Sequence, residues 1–315
     1  VLLLFGMARA FQAPAQMAIV PNLVPKDDLA NAIAWSATGF QMARVIGPTI
    51  SGLLIAVGTA RGQDEFFVYV LSVAIFVLAT ILAAMVRKPV QIVSSAPITI
   101  ANILGGFKFI ASRQVIFGAI GLDLFAVLFG GAIALLPVYA KDILDVGADG
   151  FGLLRSAFTL GSFVGALYMT QHPITRRAGI KLLVAVGIFG VGVIVFGVSE
   201  LFWLSAVALI VMGLADSVSV FIRQNLVQII TPDEMRGRVS AVTAVFIGAS
   251  NELGEFESGV TAHWWGTVPA VVVGGAATVT VALSFAWMFP QLRRVDSLEA
   301  DKLIRKYRDP LPKGD

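Results

Sequence analysis

Ionisable side chains lie inside stretches of this chain that are otherwise apolar enough to cross a membrane. Three carboxylates, those of Glu252, Glu255 and Glu257, fall within six residues of one such stretch. Carboxylates inside a membrane span are typical of proton relays, so this cluster is a candidate for taking up and releasing protons. Glu252 and Glu255 share one helical face, and Glu257 is turned about 140° from Glu252. The structural alternative is that they pair with arginines of neighbouring spans or stand in a partly solvated gate.

A second set of charges has the spacing of a site for a polar ligand. Asp216 and Arg223 are seven residues apart, so two helical turns bring them onto one face, with Ser219 between them. Asp123 lies about a third of the way along another apolar stretch. These four residues are the candidate substrate contacts. For Arg223 the alternative is pairing with acids of a nearby loop.

Polar residues also interrupt the first two apolar stretches. The first contains Arg9 and Gln12, and the second contains Gln41 and Arg44. A buried cation holds a partner acid in its charged form, so Arg9 is a candidate for supporting proton coupling. A purely structural ion pair is an equally open interpretation.

The elements that must hold these residues are long helices. About nine stretches approach the ~20 residues that cross a bilayer. The chain is 57% hydrophobic and 14% charged, whereas a soluble domain carries about 25% charged residues. The stretches are continuous, while barrel strands would alternate over ~10 residues, so an all-α membrane protein is predicted. There is no cysteine, and His172 and His263 fall at predicted span ends, so we predict neither a metal site nor a cofactor.

Every third predicted span lacks charged side chains. The third span (about 66–86), the sixth (182–198) and the ninth (268–290) contain no charged residue. A charge at the bilayer centre costs at least ~2.5–3.5 kcal/mol, so charged spans are expected to face a bundle interior or a water-filled path. The third, sixth and ninth spans are therefore predicted to be the helices that face lipid.

Lysine and arginine alternate strongly between the connections. Nearly all of them lie in one set of connections and in the C-terminal tail, whereas the other set contains only Arg61 and Lys141. The positive-inside rule assigns the basic set to the cytoplasm. The C-terminus is therefore predicted to be cytoplasmic.

An internal repeat relates the two ends of the chain. A shift of 207 residues lays the first two spans on the seventh and eighth, so that Pro25 meets Pro232 and Gly47 meets Gly254. Both copies have the same orientation, which predicts a parallel repeat of two halves. Because nine spans is an odd count and the chain starts inside an apolar run, we expect a fragment that lacks three helices at its front.

The expected organisation has four parts. Residues 1–86 form the last three helices of an N-terminal half, and residues 87–114 form a cytoplasmic linker. Residues 115–290 form a six-helix C-terminal half, and 291–315 a cytoplasmic tail. Within the linker, apolar spacing over 99–110 predicts an amphipathic helix at the membrane interface. A flexible linker is the alternative.

Two motifs in the first two spans resemble those of a known superfamily. Residues 9–12, Arg-Ala-Phe-Gln, are similar to the Arg-x-x-Gln motif of the fourth helix in drug-and-proton antiporters of the major facilitator superfamily. Residues 47–52, Gly-Pro-Thr-Ile-Ser-Gly, resemble the Gly-Pro-x-x-Gly-Gly antiporter motif, with Ser51 replacing one glycine. Helix packing alone is the alternative role of Gly47, Pro48 and Gly52.

Two more motifs extend the resemblance along the chain. The first resembles a degenerate Gly-x-x-x-Asp-Arg-x-Gly-Arg-Lys loop without its acidic residue, and comprises Gly161, Gly165, Arg176, Arg177, Gly179 and Lys181. The second, residues 231–239, resembles the loop between helices ten and eleven in the exporter branch that includes the enterobactin exporter. Its motif residues are Pro232, Arg236, Gly237 and Arg238.

The resemblance implies the major facilitator fold, with helices four to twelve of twelve present. In that fold helices one, four, seven and ten line a central cavity, and two, five, eight and eleven form a gate between the halves. The remaining four face lipid, which agrees with the charge-free spans. The residues assigned to the cavity are Asp123, Asp216, Ser219 and Arg223. Those assigned to the gate or to proton coupling are Arg9, Gln12, Gln41, Arg44, Glu252, Glu255 and Glu257.

The function implied is secondary active transport, not enzymatic catalysis. We expect proton-coupled efflux of a siderophore, drug-like molecule or metabolite by alternating access, in the inner membrane of a bacterium. The expected partners are a small-molecule substrate, protons and the lipid bilayer, with no nucleic acid and a monomeric state. The alternatives are a non-transporting membrane sensor or scaffold that kept the fold, or an inert fragment.

Overall fold

The computed structural model describes residues 66–85, 100–172, 174 and 176–298, together with the single positions 39, 43, 47, 50, 51, 54, 303 and 307. The chain divides into two compact units, Val1–Pro97 and Ile98–Asp315, called here the N-terminal and C-terminal units. The predicted division into half, linker, half and tail stays a prediction.

The N-terminal unit contains helix α1, Phe66–Met85. Its residues carry no ionisable side chain except the phenol of Tyr69, and the hydroxyl of Thr80 donates to the carbonyl of Phe76 at 2.8 Å. The helix therefore suits an apolar surrounding, as predicted for the third span. Of the residues assigned to the first two spans, Arg9, Gln12, Gln41, Arg44, Pro48 and Gly52 lie outside the described residues, and Gly47 is helical and exposed.

The C-terminal unit is a bundle of helices, and the described residues contain no strand. Its helices are α2 Ile100–Ser112, α3 Gln114–Phe129, α4 Gly147–Gln171, α5 Ala178–Val198, α6 Phe202–Ile230, α7 Asp233–Trp265 and α8 Thr267–Met288. Five of the described segments are long and apolar enough to span a membrane, namely Gln114–Ile143, Asp149–Met169, Ala178–Val198, Phe202–Ile230 and Thr267–Met288. The predicted all-helical membrane fold is confirmed.

The span that begins with α3 is irregular in its second part. After Gly130 it continues as a 3-10 turn, Gly131–Leu135, a short helical turn, Leu136–Val138, and a π-helical turn, Tyr139–Ile143. A Cβ atom on Gly130 would lie 2.7 Å from the ring of Phe189, and one on Gly131 would collide with the hydroxyl of Ser258. The two glycines thus let α5 and α7 pack closely against the break.

Helices α4 and α6 approach each other through glycines. A Cβ atom on Gly161 would collide with the carbonyl oxygen of Ile210, one on Gly165 with the Ser217 hydroxyl, and one on Gly213 with the Phe158 carbonyl. Without a hydrophobic force between helices in lipid, such small residues allow the backbone contact that holds a pair together. Gly161 and Gly165, which the sequence places in a loop-associated motif, are therefore packing residues here.

The start of α5 is held by the segment that follows α8. The amide of Arg177, which has a left-handed backbone (φ 55°), donates to the Asp296 carboxylate at 3.0 Å. The amides of Ala178 and Gly179 donate to the carbonyls of Asp296 and Val295 at 2.9 and 3.0 Å. These bonds satisfy amides that a helix N-terminus leaves open. Asp296, an acid from outside the degenerate motif, thus binds the start of this helix.

The motif of residues 231–239 differs from the predicted loop. Helix α7 begins at Asp233, so the connection between α6 and α7 consists only of Thr231 and Pro232. The later motif residues Arg236, Gly237 and Arg238 lie in the first turns of α7. Pro232 stands at the N-cap with an extended ψ of 152°. A proline there costs no helical hydrogen bond, because the first amides of a helix have no partner inside it.

Helix α2 packs against the first half of α7. The contact at Gly106 is so tight that a Cβ atom there would lie 2.7 Å from the carbonyl oxygen of Arg238, and the rings of Phe107 and Phe246 are 6.2 Å apart. Phe109 and Ile110 are buried in the same hydrophobic cluster as residues of α3 and α6. Residues Ile100–Ser112 are therefore helical and packed, while the role of 87–114 as a cytoplasmic linker with an interfacial helix stays a prediction.

A buried ion pair between two membrane helices as the candidate functional site

The site is an ion pair that joins α3 to α6. A guanidinium nitrogen of Arg223, Nη1, contacts the carboxylate oxygen Oδ1 of Asp123. Arg223 is 4% exposed and Asp123 is 8% exposed. The structure thus brings together two of the four predicted cavity residues, and Arg223 pairs with an acid of a neighbouring helix instead of a loop acid.

The pair lies among apolar side chains. Leu122, next to Asp123, and Ile222, next to Arg223, are fully buried, as is Leu226 one turn along α6. All three belong to one hydrophobic cluster. Moving two charges out of water costs several kcal/mol per ion, and the attraction between them must offset that cost. Each charge therefore lowers the cost of burying the other.

The guanidinium group of Arg223 has an N–H donor that Asp123 does not engage. Within the described part of the chain, Nε of Arg223 is buried without a hydrogen-bond partner. A guanidinium carries five N–H donors in a rigid fork that fits planar anions. Arg223 is therefore chemically able to hold a second oxygen ligand beside Asp123.

The two other predicted cavity residues lie near the middle of α6, before Arg223 in the sequence. Ser219 is buried one turn before Arg223, and Asp216 is half-buried. Seven residues place Asp216 about 10 Å along the helix from Arg223. Asp216 therefore extends the polar stripe of Ser219 and Arg223 along the same helix.

The three glutamates of α7 do not meet Arg223 in the described structure. Glu252 and Glu255 are exposed, whereas Glu257 is half-buried. The opposite face of α7 packs on the end of α3, because a Cβ atom on Gly254 would lie 2.8 Å from the Val127 carbonyl oxygen. Close packing at Gly254 and Ser258 thus fixes the rotation of α7 about its axis, and with it the direction in which the three glutamates point.

The remaining motif residues lie at the basic end of the unit, defined here as the end containing the starts of α3 and α5 and the end of α8. Arg176, Arg177, Lys181, Arg236 and Arg238 are all exposed there. A cavity of about 520 Å³ at this end, lined by Arg113, Arg294 and Tyr307 among others, was not predicted. The lysines and arginines of these connections are the sequence signal that could have indicated this cavity.

No cluster of His, Asp and Glu in the described residues could hold a metal ion.

Comparison with known proteins identifies relatives along the whole chain. The family model described as transmembrane secretion effector, a major facilitator family, matches residues 1–312. The enterobactin exporter EntS of Citrobacter koseri is 26% identical over 292 residues, covering 92% of this chain and 68% of that protein. EntS of Escherichia coli O1:K1 is 27% identical over 254 residues, covering 78% of this chain and 59% of that protein. The chain thus spans about 59 to 68% of the length of these relatives.

A solved structure shares the fold. It is the inward-facing, unoccupied form of a bacterial homolog of the human lysosomal transporter Spinster. The TM-score is 0.62 at 14% identity, over 93% of this chain and 75% of that one. The helices, the exporter relatives and the match over nearly all residues agree with the motif resemblance, and they show that the chain belongs to the transmembrane secretion effector family of the major facilitator superfamily.

Proposed function

We propose that the protein exports a small molecule by alternating access and that export is coupled to inward movement of protons. The observation that carries the proposal is the buried pair of Asp123 and Arg223, which joins the two helices of the C-terminal unit that line the cavity in related transporters. The relatives are named for exporting enterobactin, and a siderophore or similar metabolite is the proposed class of substrate. We propose a monomer in the inner membrane with a cytoplasmic C-terminus.

The pair supplies a way for proton and substrate to exclude each other. A proton on Asp123 cancels the carboxylate charge and weakens its attraction to Arg223, which is strong in a medium of low dielectric constant. Arg223 would then be left as a buried charge without a partner, which is costly. A substrate hydroxyl can donate to the charged carboxylate of Asp123 while a substrate oxygen accepts from Nε of Arg223. Protonation of Asp123 removes this charged acceptor and releases the substrate, so proton and substrate compete for the same carboxylate.

Further groups are proposed to bring protons to the pair. Glu252 and Glu255 share an exposed face of α7, and chains of Asp and Glu form proton relays in pumps and transporters. Arg9 is proposed to act with them, while Asp216 contacts substrate on the other side of Ser219. Gln12, Gln41, Arg44 and Glu257 are proposed to belong to the gate.

The test uses the full-length protein in proteoliposomes with enterobactin as the probe. An imposed proton gradient is expected to drive enterobactin transport, which is measured together with the accompanying proton flux by a pH-sensitive dye. Asp123→Asn and Arg223→Gln are each expected to lower coupled transport at least tenfold. Exposed Glu200→Gln, outside the membrane helices, serves as the matched control. If Glu252→Gln, Glu255→Gln and Asp216→Asn all keep wild-type coupled rates, the roles proposed for them are wrong.

Two alternatives remain distinguishable in the same experiment. A sensor or scaffold would bind enterobactin, detected as a higher unfolding temperature, without any flux. If residues 1–315 are inert by themselves, they would show neither binding nor flux.

A further inference from the structure

An apolar groove runs along the surface of the C-terminal unit between α5, α6 and α8. It has a volume of about 680 Å³, and seventeen residues line it, of which sixteen are apolar or glycine and one is Arg293. On α5 the lining begins at Ile180 and ends at Val195. That stretch is about 22 Å long, whereas one leaflet contributes about 15 Å to the hydrocarbon core.

The groove has a buried floor of small and aliphatic residues and an exposed rim. Leu183, Ala208 and Ala282 are buried at its floor, while Val184 and Val207 are more than half exposed. The floor is open at the middle of α5, since no atom lies within 4 Å of where a Cβ atom on Gly187 would stand.

The groove carries charge at one end only. Arg293 lies in the one-turn helix Pro290–Arg293 that follows α8, at the basic end where Ile180 begins the lining on α5. The other end, near Leu204 at the start of α6, is apolar. This order, a cation followed by a long hydrocarbon slot, matches the order of charge and chain in an anionic phospholipid.

We propose that this groove binds one anionic phospholipid, with an acyl chain along α5 over Gly187 and the phosphate group at Arg293. A helix of a partner protein is about 10–12 Å across and would rest on the rim, whereas a single hydrocarbon chain reaches the floor. The positive-inside rule assigns the end with Arg293 to the cytoplasmic leaflet. The site is separate from Asp123 and Arg223 and does not depend on the transport activity proposed above.

The test is native mass spectrometry of the full-length protein released from nanodiscs that contain equal amounts of phosphatidylglycerol and phosphatidylethanolamine. The wild-type protein is expected to retain one phosphatidylglycerol in preference to phosphatidylethanolamine. Arg293→Gln is expected to lower that preference about fivefold, the value of one Lys or Arg at an anionic surface. Arg294→Gln, adjacent but outside the groove, is the matched control and should keep it.

A second variant tests the hydrocarbon slot without touching charge. Gly187→Leu adds a side chain where there is open space, so it should fold normally and lower retention of both lipids. Gly248→Leu, which also has no atom within 4 Å, is the control and should retain lipid. Wild-type retention in both groove variants would overturn the proposal, as would equal retention of the two lipids by the wild-type protein. A dimer that dissociates on Gly187→Leu would overturn it in favour of a protein partner.

Discussion

At the scale of single residues, Asp123 and Arg223 depend on each other. Both side chains are buried within an apolar cluster. The charge of each offsets the desolvation cost of the other. A buried ion pair often contributes little net stability over a well-packed apolar pair, but removal of one partner is costly. This asymmetry separates the pair from an ordinary surface salt bridge, and it can be measured.

We predict that Asp123→Asn lowers the free energy of unfolding by about 3–5 kcal/mol, because it leaves Arg223 buried without a counter-charge. The double variant Asp123→Leu/Arg223→Met, which removes both charges, should recover most of that loss. Unfolding in a detergent titration followed by tryptophan fluorescence measures both values. Equal stability of Asp123→Asn and the wild-type protein would contradict the ion pair.

At the scale of helices, glycine decides how closely two spans approach. Gly161, Gly165 and Gly213 form the crossing of α4 and α6, where a Cβ atom at any of the three would overlap a neighbour. Because α6 carries Arg223, this crossing also fixes the helix that bears one half of the ion pair. A sequence motif can mark such glycines, but the partner backbone that excludes a side chain becomes visible only when the helices pack.

Gly161→Ala is expected to destabilise the protein by about 1–3 kcal/mol, the usual cost of forcing extra volume into a packed contact. The reason is overlap of the new methyl group with the backbone carbonyl of Ile210, which cannot rotate away. Gly248→Ala is the control in another helix, since open space surrounds that position. A thermal unfolding curve distinguishes the two variants, and an unchanged midpoint for Gly161→Ala would refute the tight crossing.

At the scale of the whole molecule, orientation in the membrane follows from the distribution of charge. The connection before α5 contains Arg176 and Arg177, whereas the one after it contains Glu200 and no basic residue. Both connections are exposed at positions 176 and 200. The chain has no cysteine, so one introduced thiol reports the side of the membrane without background.

In spheroplasts, the Glu200→Cys variant should react with a membrane-impermeant maleimide, because the positive-inside rule assigns its connection to the outside. The Arg176→Cys variant should react only after the membrane is permeabilised. Gel-shift labelling of the 315-residue chain measures both. The opposite pattern would reverse the proposed orientation and contradict a cytoplasmic C-terminus.

Much of the fold could be predicted from sequence because a bilayer imposes strong local rules. The spans predicted at 66–86, 182–198 and 268–290 coincide with helices that begin and end within a few residues of those bounds, since hydropathy alone decides where a helix can cross lipid. The connections between helices could be predicted less well than the spans. Residues 233–238 resemble a loop motif but form the start of α7, because helix ends depend on capping and packing of neighbours.

The sequence by itself determined that this is a helical membrane protein, that it resembles major facilitator exporters, and that Asp123 and Arg223 carry charge into the membrane. Only the tertiary structure decided that these two charges meet, that Glu252 and Glu255 stand apart from them, and that Asp296 completes the start of α5. The physical reason is distance along the chain. Helical periodicity fixes which residues share a face, but pairing between faces of helices far apart in sequence depends on packing, which here rests on glycines and on the break at Gly130.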